Sequence, residues 1–276
     1  MRGLPLHAGA RRLDDDCAVL EFGSETLILN HDTMAEGTHF RADADMADVA
    51  WKLVASNLSD LAAKGAEPIG VLLGHCLGDG DEQFLNGLSE ALHTFNTRLL
   101  GGDTVKAPGA NVVGLTAIGR ATHTPVPSRC GAQIGDEVYV TGTLGRAMLG
   151  FEGASEHLGA FHRPNARLAE GRALAPVVTA MMDVSHGLLL DAFRLAEASG
   201  VSIALEGEAV PVASTERRAD ALRWGDDYEL LFTMPVGKNP PVDAAKIGEV
   251  LSKGFAPLTL DGHPLVNAQG LGFEHR

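Results

Sequence analysis

The stretch MADVAWKLVASNLSDLAAK, residues 46–64, sets the tightest limit on what this chain can become. Met46, Val49, Ala50, Leu53, Val54, Leu58 and Leu61 recur at helical spacing and line one face of a helix. Asn57 lies in the middle of that face, and Asp60 falls between Val49 and Leu53 on the helical wheel. A carboxylate on a buried face is costly unless it is paired or binds metal. Asp60 therefore marks either a salt bridge or cap, or a metal site.

The rest of the chain alternates in the same economical way. Strands are expected at 17–22 and 26–31, joined by a turn at Gly23-Ser24, then at 69–77 and 111–119. A second helix is expected at 81–98, opened by acids that suit the positive end of its dipole. The segment THTPVPSRCGAQIGD is rich in Pro, Gly and Ser and marks a boundary near residue 122. Beyond it the pattern gives strand 137–141, helices near 144–151 and 165–175, strand 178–184, helix 187–199, and strands 201–205, 228–233 and 246–250. The expected organisation is thus two α/β halves, 1–122 and 123–276. Apolar residues at 45 %, 33 glycines and only 5 % aromatics suit an α/β enzyme with many tight turns better than a β-sandwich.

A formal net charge of −14 argues against a nucleic-acid or anionic-membrane binder. A phosphorylated small molecule stays open, because divalent metals bridge carboxylates to phosphates. Cys17, Cys76 and Cys130 are far apart and form no CxxC pair or disulfide framework. No apolar run approaches the roughly 20 residues of a membrane span, and the start MRGLPLHAGARRLDDD has no h-region. A cytoplasmic protein is the expectation.

Five acidic places differ from surface charge. Asp14-Asp15-Asp16 stands directly before CAVLEF. Asp32 ends the expected strand TLILNHD, where a carboxylate can point into a cleft. Asp60 is described above. Asp103 follows Gly101-Gly102, which let backbone N–H groups approach a ligand, and Thr104 adds a hydroxyl. Asp183 ends VVTAMMD and enters VSHG at the start of helix 187–199, where an anion is favoured. Ser185 there reads equally well as an N-cap. Strand-end carboxylates spread over the whole chain suggest one polynuclear Mg²⁺ site holding a nucleoside triphosphate. Neither a Walker A sequence nor the protein-kinase motif set is present.

Other residues carry weaker signals. The histidines show no HxxxH or HExxH spacing. Trp51, off the centre of the helical face, reads as domain or dimer packing. Trp224 reads equally as core or as a stacking surface. Glu229 alternates with apolar neighbours and reads as structural, and Asp191 either supports the metal cluster from behind or is solvated.

In order, DDCAVL, HDTMAEGTHF, NLSDLAAKGAEP, GGDT, CGAQIGDEVYVTGTLG, DVSHGLLLD and GDDYELLF resemble the thiamine-monophosphate kinase family. That family belongs with aminoimidazole ribonucleotide synthetase and selenophosphate synthetase. The resemblance runs from about residue 14 to GFEH. It implies a two-domain α/β (α+β) fold, with an N-terminal mixed sheet plus helices and a C-terminal α/β domain. It implies ATP-dependent phosphorylation of thiamine monophosphate, several Mg²⁺ ions, and a homodimer made through the N-terminal domains. By matched position it implies metal ligands at Asp16, Asp32, Asp60, Asp103 and Asp183, the last three being central to catalysis. Gly102, Asp103, Arg129 and Ser185 match nucleotide contacts, and His39, Asp226 and Phe273 match positions facing the thiamine phosphate.

The sequence departs from the family pattern at several of these places. Asn30-His31 replaces the family's Ser/Thr-Thr beside the metal, and His186 replaces the second acid of DxSDG. These three are carried as metal-site positions of altered chemistry, since imidazole is a poor partner for Mg²⁺. GGDTTR is written GGDTVK, with Lys106 for Arg. The family's Gly-Glu-Phe opening and first helix have no counterpart in the roughly 13 residues before Asp14. A family member that binds nucleotide or thiamine phosphate with little turnover, or a related ATP-using enzyme with another acceptor, are the alternative readings.

Overall fold

The computed structural model describes residues 4–274. Strands β1 (Ala18–Phe22), β2 (Glu25–Ala35), β3 (Ala66–Cys76), β4 (Leu99–Val105) and β5 (Val112–Ala121) form a sheet in the order β1-β2-β5-β3-β4. All its pairings are antiparallel except β3 with β4. Helices α1 (Met46–Ala62) and α2 (Asp81–Thr94) pack together, with α1 against β2 and β5.

The second sheet is built from β6 (Glu137–Thr141), β7 (Ala180–Val184), β8 (Ser202–Leu205), β9 (Glu229–Met234), β10 (Ala244–Leu251), β11 (Leu258–Leu260) and β12 (His263–Leu265). Their order is β12-β11-β8-β10-β6-β9-β7. Helix α6 (Leu188–Ser199) packs on β7, β8 and β11, while α3 (Arg146–Phe151), α4 (Leu158–His162), α5 (Leu168–Leu174) and α7 (Arg218–Ala221) lie in the connections, α5 against α1 and β3. β7 and β9 are buried at every position, so they read in sequence as apolar runs interrupted only by Asp183 in β7 and by Glu229 and Thr233 in β9.

Helix α1 joins the two halves. Asp45 caps it by accepting from Ala47 N at 2.9 Å, the geometry that satisfies an otherwise orphaned donor. Val49, Leu53, Leu58 and Leu61 are buried against the first sheet, in one apolar cluster with Met181, Leu230 and Phe232 of the second. Complete burial of each large side chain contributes about 1.5–3 kcal/mol. The opposite flank of α1 meets α5 and β7. Trp51 donates from Nε1 to Pro164 O at 2.9 Å, and the Arg163 guanidinium lies 5.3 Å from its ring. Trp51 is thus packing between the halves.

The structure departs from the sequence reading in several places. Asp32 is not at a strand end: β2 continues to Ala35, because Asp32 to Ala35 keep pairing with β5. GGDT is not at a strand end but inside β4, which pairs in parallel with β3. A Cβ on Gly102 would meet Leu73 O at 2.0 Å, so the glycine admits a neighbouring strand. The helix expected over 81–98 ends at Thr94, where the chain turns into β4. The short elements α4, α7, β11 and β12 carry too few residues to show a period.

A candidate metal and phosphate cleft

Four of the five acidic places begin in separate elements and are brought together by simple local rules. Along β2 side chains alternate, so Asn30, Asp32 and Met34 face α1 while His31 and Thr33 face the other side. On α1, Lys52, Ser56 and Asp60 are spaced by four and share a stripe. Asp183 is on β7, and Asp15 and Asp16 precede β1. These elements converge on a cavity of about 330 Å³, whose wall includes Asp16, Asp32, Asp60, Arg129, Asp183 and His186. One carboxylate oxygen each from Asp16, Asp60 and Asp183 lie within 4.8 Å of one another.

The electrostatics of this group are those of a site built for cations. Burial, then the charges of Asp32, Asp183 and Asp16, push the Asp60 carboxyl well above its usual range. Burial and Asp16 push Asp183 up to about 7. Burial also raises Asp32, against a partial pull from His31. Asp183 accepts from Ser59 Oγ at 2.6 Å through Oδ2, while its Oδ1 is buried without a hydrogen-bond partner. Such an oxygen is costly to leave unmet. An all-oxygen donor set with an unmet carboxylate oxygen fits a hard divalent cation.

Several neighbours hold these acids in place. Asn30 Nδ2 donates to Asp60 Oδ2 at 2.8 Å and to Asn57 Oδ1 at 3.1 Å, and Asn57 Oδ1 also accepts from Asp32 N at 3.2 Å. Asn30 thus braces Asp60 through its nitrogen, while its Oδ1 is buried without a hydrogen-bond partner and is the amide atom able to face a cation. Arg129 pairs with Asp16. Asp191, fully buried, accepts from His186 N at 3.0 Å and so fixes the loop that opens α6. Gly187 makes that loop possible: its φ is +114°, and a Cβ there would meet Arg223 O at 2.5 Å. The His186 ring approaches Ser185 Oγ at 2.8 Å through Nδ1.

A second cavity of about 410 Å³ continues from the first and shares Met34, His39, Ser185, Asp226, Tyr228 and Phe273 with it. Its far wall is aromatic, with Phe151, Phe161 and Trp224, and the Phe151 and Trp224 ring centroids are 5.2 Å apart. Trp224 is therefore a wall residue of the cleft. Lys52 Nζ pairs with Asp226 Oδ2 at 2.6 Å and lies 4.0 Å from the centre of the Phe161 ring. Tyr228 donates to Asp226 Oδ1 at 3.1 Å. Acidic at one end and aromatic at the other, the joined cleft suits a phosphorylated molecule with a ring.

Of the residues singled out in the sequence, Asp16, Asp32, Asp60, Asp183, Arg129, Ser185, His186, His39, Asp226 and Phe273 all line this cleft. His31 does not: strand alternation turns it to the far face, where Nδ1 meets Thr116 Oγ1 at 2.9 Å. Gly102 and Asp103 do not either. They are exposed on β4, an edge strand, where Asp103 Oδ1 accepts from Thr104 N at 2.9 Å. Glu229 is structural, accepting from Thr141 Oγ1 at 2.7 Å and Arg167 Nη2 at 2.7 Å. Sequence reasoning missed Lys52 and Lys64. Both were findable, since each stands on the Asp60 stripe at a spacing of four or eight.

Residues 14–121 match the family described as AIR synthase related protein, N-terminal domain, and residues 133–254 its C-terminal domain. The chain is similar to the thiamine-monophosphate kinase of Salmonella typhimurium, with 35 % identity over 291 residues covering 95 % of this chain and 86 % of that protein. Among solved structures it resembles AaThiL complexed with AMPPCP and TMP, with a TM-score of 0.82 and 30 % identity, covering 91 % of this chain and 89 % of that one. The thiamine-monophosphate kinase from Stenotrophomonas maltophilia K279a gives a TM-score of 0.80 and 30 % identity, covering 93 % and 95 %. With the converged acids and the two-domain fold, these matches place the chain in the thiamine-monophosphate kinase family.

Proposed function

We propose that this chain transfers the γ-phosphoryl group of ATP to the phosphate of thiamine monophosphate, giving thiamine diphosphate and ADP. The observation that carries the reading is the joined cleft, in which an acid cluster opens directly into an aromatic chamber. A relative of the same fold in complex with AMPPCP and TMP supports the pairing of a nucleotide with this substrate.

Asp16, Asp32, Asp60 and Asp183 would hold Mg²⁺ at the acidic end. When bound, Mg²⁺ offsets the charge of the two phosphate groups that must meet. Arg129 and Ser185 face the nucleotide, and His39, Asp226 and Phe273 face the thiamine phosphate. The aromatic wall packs against the rings, and Asp226, held by Lys52 and Tyr228, fixes one side of that chamber. The acceptor oxygen belongs to a phosphate that is already an anion, so no side chain has to remove a proton from it. The protein therefore acts by positioning and neutralising, without a covalent protein intermediate.

A homodimer through the N-terminal half, taken as 1–122, belongs to this reading. Strand β4 is a sheet edge with Leu99, Leu100 and Val105 about half exposed, at 49 %, 52 % and 53 %. An open apolar edge is a surface that invites pairing. A second copy covering it would bring Gly102 and Asp103 to a shared nucleotide site. ATP as co-substrate fits a cytoplasmic location, and among the described residues no helix is long and apolar enough to cross a membrane.

The test is an assay of the purified protein with ATP, Mg²⁺ and thiamine monophosphate. Thiamine diphosphate and ADP should form in equal amounts, and only when all three are present. ADP release with no thiamine diphosphate would reject the acceptor.

A further inference from the structure

Asp48, Lys52, Ser56 and Asp60 recur every four residues along α1 and form one stripe on the helix. The stripe passes three cavities in turn. Ser56 and Asp60 line the acidic cavity, Lys52 lines the aromatic one, and Asp48 lines a third cavity of about 580 Å³. This third chamber meets the aromatic one along Met34, Thr38, His39, Lys52, Phe151 and Phe161, which line both. At a rise of about 1.5 Å per residue, Ser56 to Asp48 spans roughly 12 Å of helix. That is close to the length of an extended thiamine monophosphate. The partition between the two chambers comes from α3 and α4. Gly150 lets the chain before α4 come close, since a Cβ there would meet His157 O at 2.3 Å. Phe151 and Phe161 then meet edge to face, with centroids 5.3 Å apart and planes at 69°. Beyond them the lining is apolar, with Phe40, Val49 and Leu158, and it carries the carboxylates of Asp45 and Asp48. Arg163 Nε holds Asp48 Oδ1 in place at 2.5 Å.

We infer that the third chamber is a subsite for the aminopyrimidine ring of thiamine monophosphate, with Leu158 and Phe161 as specificity-determining residues. This rests on the reading of the cleft as the site for that substrate. The order of the chambers along the α1 stripe matches the order of groups along the molecule. The phosphate lies by Ser56 and Asp60, the thiazole ring by Lys52 and Trp224, and the pyrimidine by Asp48. Phe151 and Phe161, lining both inner chambers, offer an aromatic surface to each ring. A neutral ring gains from the apolar lining, and the carboxylates in its wall accept from the exocyclic amine. A phosphate ester carrying the thiazole ring alone would fill the first two chambers and leave the third empty.

The probes are thiamine monophosphate and the N-methylated thiazolium phosphate that lacks the pyrimidine, each titrated calorimetrically into the full-length protein with Mg²⁺. Wild type should bind thiamine monophosphate the more tightly. Leu158 lines the third chamber but not the second, and it is 39 % exposed, so a larger side chain is tolerated there. Leu158→Trp, which fills the chamber, should weaken thiamine monophosphate by about tenfold and leave the one-ring phosphate unchanged. Leu158→Phe should show the same selectivity with a smaller loss, and it carries the test if the tryptophan variant does not fold. Equal weakening of both probes, or of neither, overturns the inference. If wild type binds the two probes equally tightly, the subsite falls while the reading of the cleft stands. If wild type binds neither, the reading of the cleft falls and the subsite with it.

Discussion

Ser59 on α1 donates its hydroxyl hydrogen bond to Asp183 Oδ2 on β7 at 2.6 Å, tying together the two halves of the chain. Both residues are buried. Among the described residues no other hydrogen bond reaches the Asp183 carboxyl, whose second oxygen is unmet. Ser59→Ala should therefore destabilise the metal-free protein by about 1–3 kcal/mol, the cost of a buried acceptor left without its donor. Urea denaturation in a chelator measures this, and added Mg²⁺ should recover most of the loss. An unchanged midpoint without metal would remove Ser59 from this role.

Asp60 carries the heaviest electrostatic load, since burial and three neighbouring carboxylates all disfavour its charge. Asp60→Asn keeps the shape and removes the charge. Turnover should fall by about 100-fold or more, equivalent to roughly 2.7 kcal/mol of transition-state stabilisation. In metal-free buffer at neutral pH the same variant should melt no lower than wild type, because a repulsion has gone. Wild-type turnover would take Asp60 out of the metal shell.

Asp227, beside the cleft, gives the pH prediction. Burial pushes its carboxyl up to about 7, against the pull of Gly145 N at 2.8 Å and Ala147 N at 3.3 Å. The unfolded group titrates near 3.8. Between those values the folded protein holds a proton that the unfolded chain has released, so stability falls as pH rises from about 4 to about 7 and levels off above. The loss is at most roughly 4 kcal/mol. Asp227→Asn should flatten this slope, being slightly less stable than wild type near pH 5, where it loses the longer bond, and more stable near pH 8. Chemical denaturation at a series of pH values decides it, and parallel profiles would reject the assignment.

Lys52 fixes the substrate end of the cleft. Its side chain is buried, and with Tyr228 it holds both oxygens of Asp226. Lys52→Met should leave that carboxylate loose at the edge of the aromatic chamber. The expected result is a KM for thiamine monophosphate raised by about tenfold, near 1.4 kcal/mol, with kcat and the KM for ATP changed much less. Equal effects on both substrates would point to a general structural role.

How much of this was legible in the sequence follows from the physics of each signal. Asp60 could be read because a helix of 17 residues repeats its period often enough to expose one misplaced charge. Strands β2 and β7 were visible as apolar runs, yet the end of β2 was not. Asp32 looks like a turn acid until its pairing with β5 is known, and pairing is a long-range property. The edge strand β4 was hidden for the same reason, since Gly101-Gly102 signals a turn locally and only β3 makes it a strand. Lys64 was overlooked because a lysine after a helix usually meets solvent, and here Asp15 and Asp16 arrive from a segment nearly 50 positions away. The directions of His31 and Asp103 depend on alternation and edge placement, which a motif match does not carry.

His186 is where this chain's metal chemistry can be probed by restoring a charge. Its backbone N–H donates to Asp191 Oδ2 at 3.0 Å, its Nδ1 lies near Ser185 Oγ at 2.8 Å, and Asp191 Oδ1 is 3.5 Å from the same Nδ1. An aspartate here would add an anion beside a fully buried carboxylate, with Arg194 at 3.6 Å from Asp191 as the available counter-charge. His186→Asp should therefore lower the metal-free melting temperature. It should tighten Mg²⁺ binding by about tenfold, since one more hard oxygen donor enters the cleft. Turnover at limiting Mg²⁺ should rise accordingly, while at saturating Mg²⁺ the two proteins should converge. Isothermal titration with Mg²⁺ alone and a rate-versus-Mg²⁺ curve read both effects. If the variant binds Mg²⁺ more tightly but turns over more slowly at every concentration, the imidazole contributes to the reaction itself and its replacement of an acid is an adaptation rather than a loss.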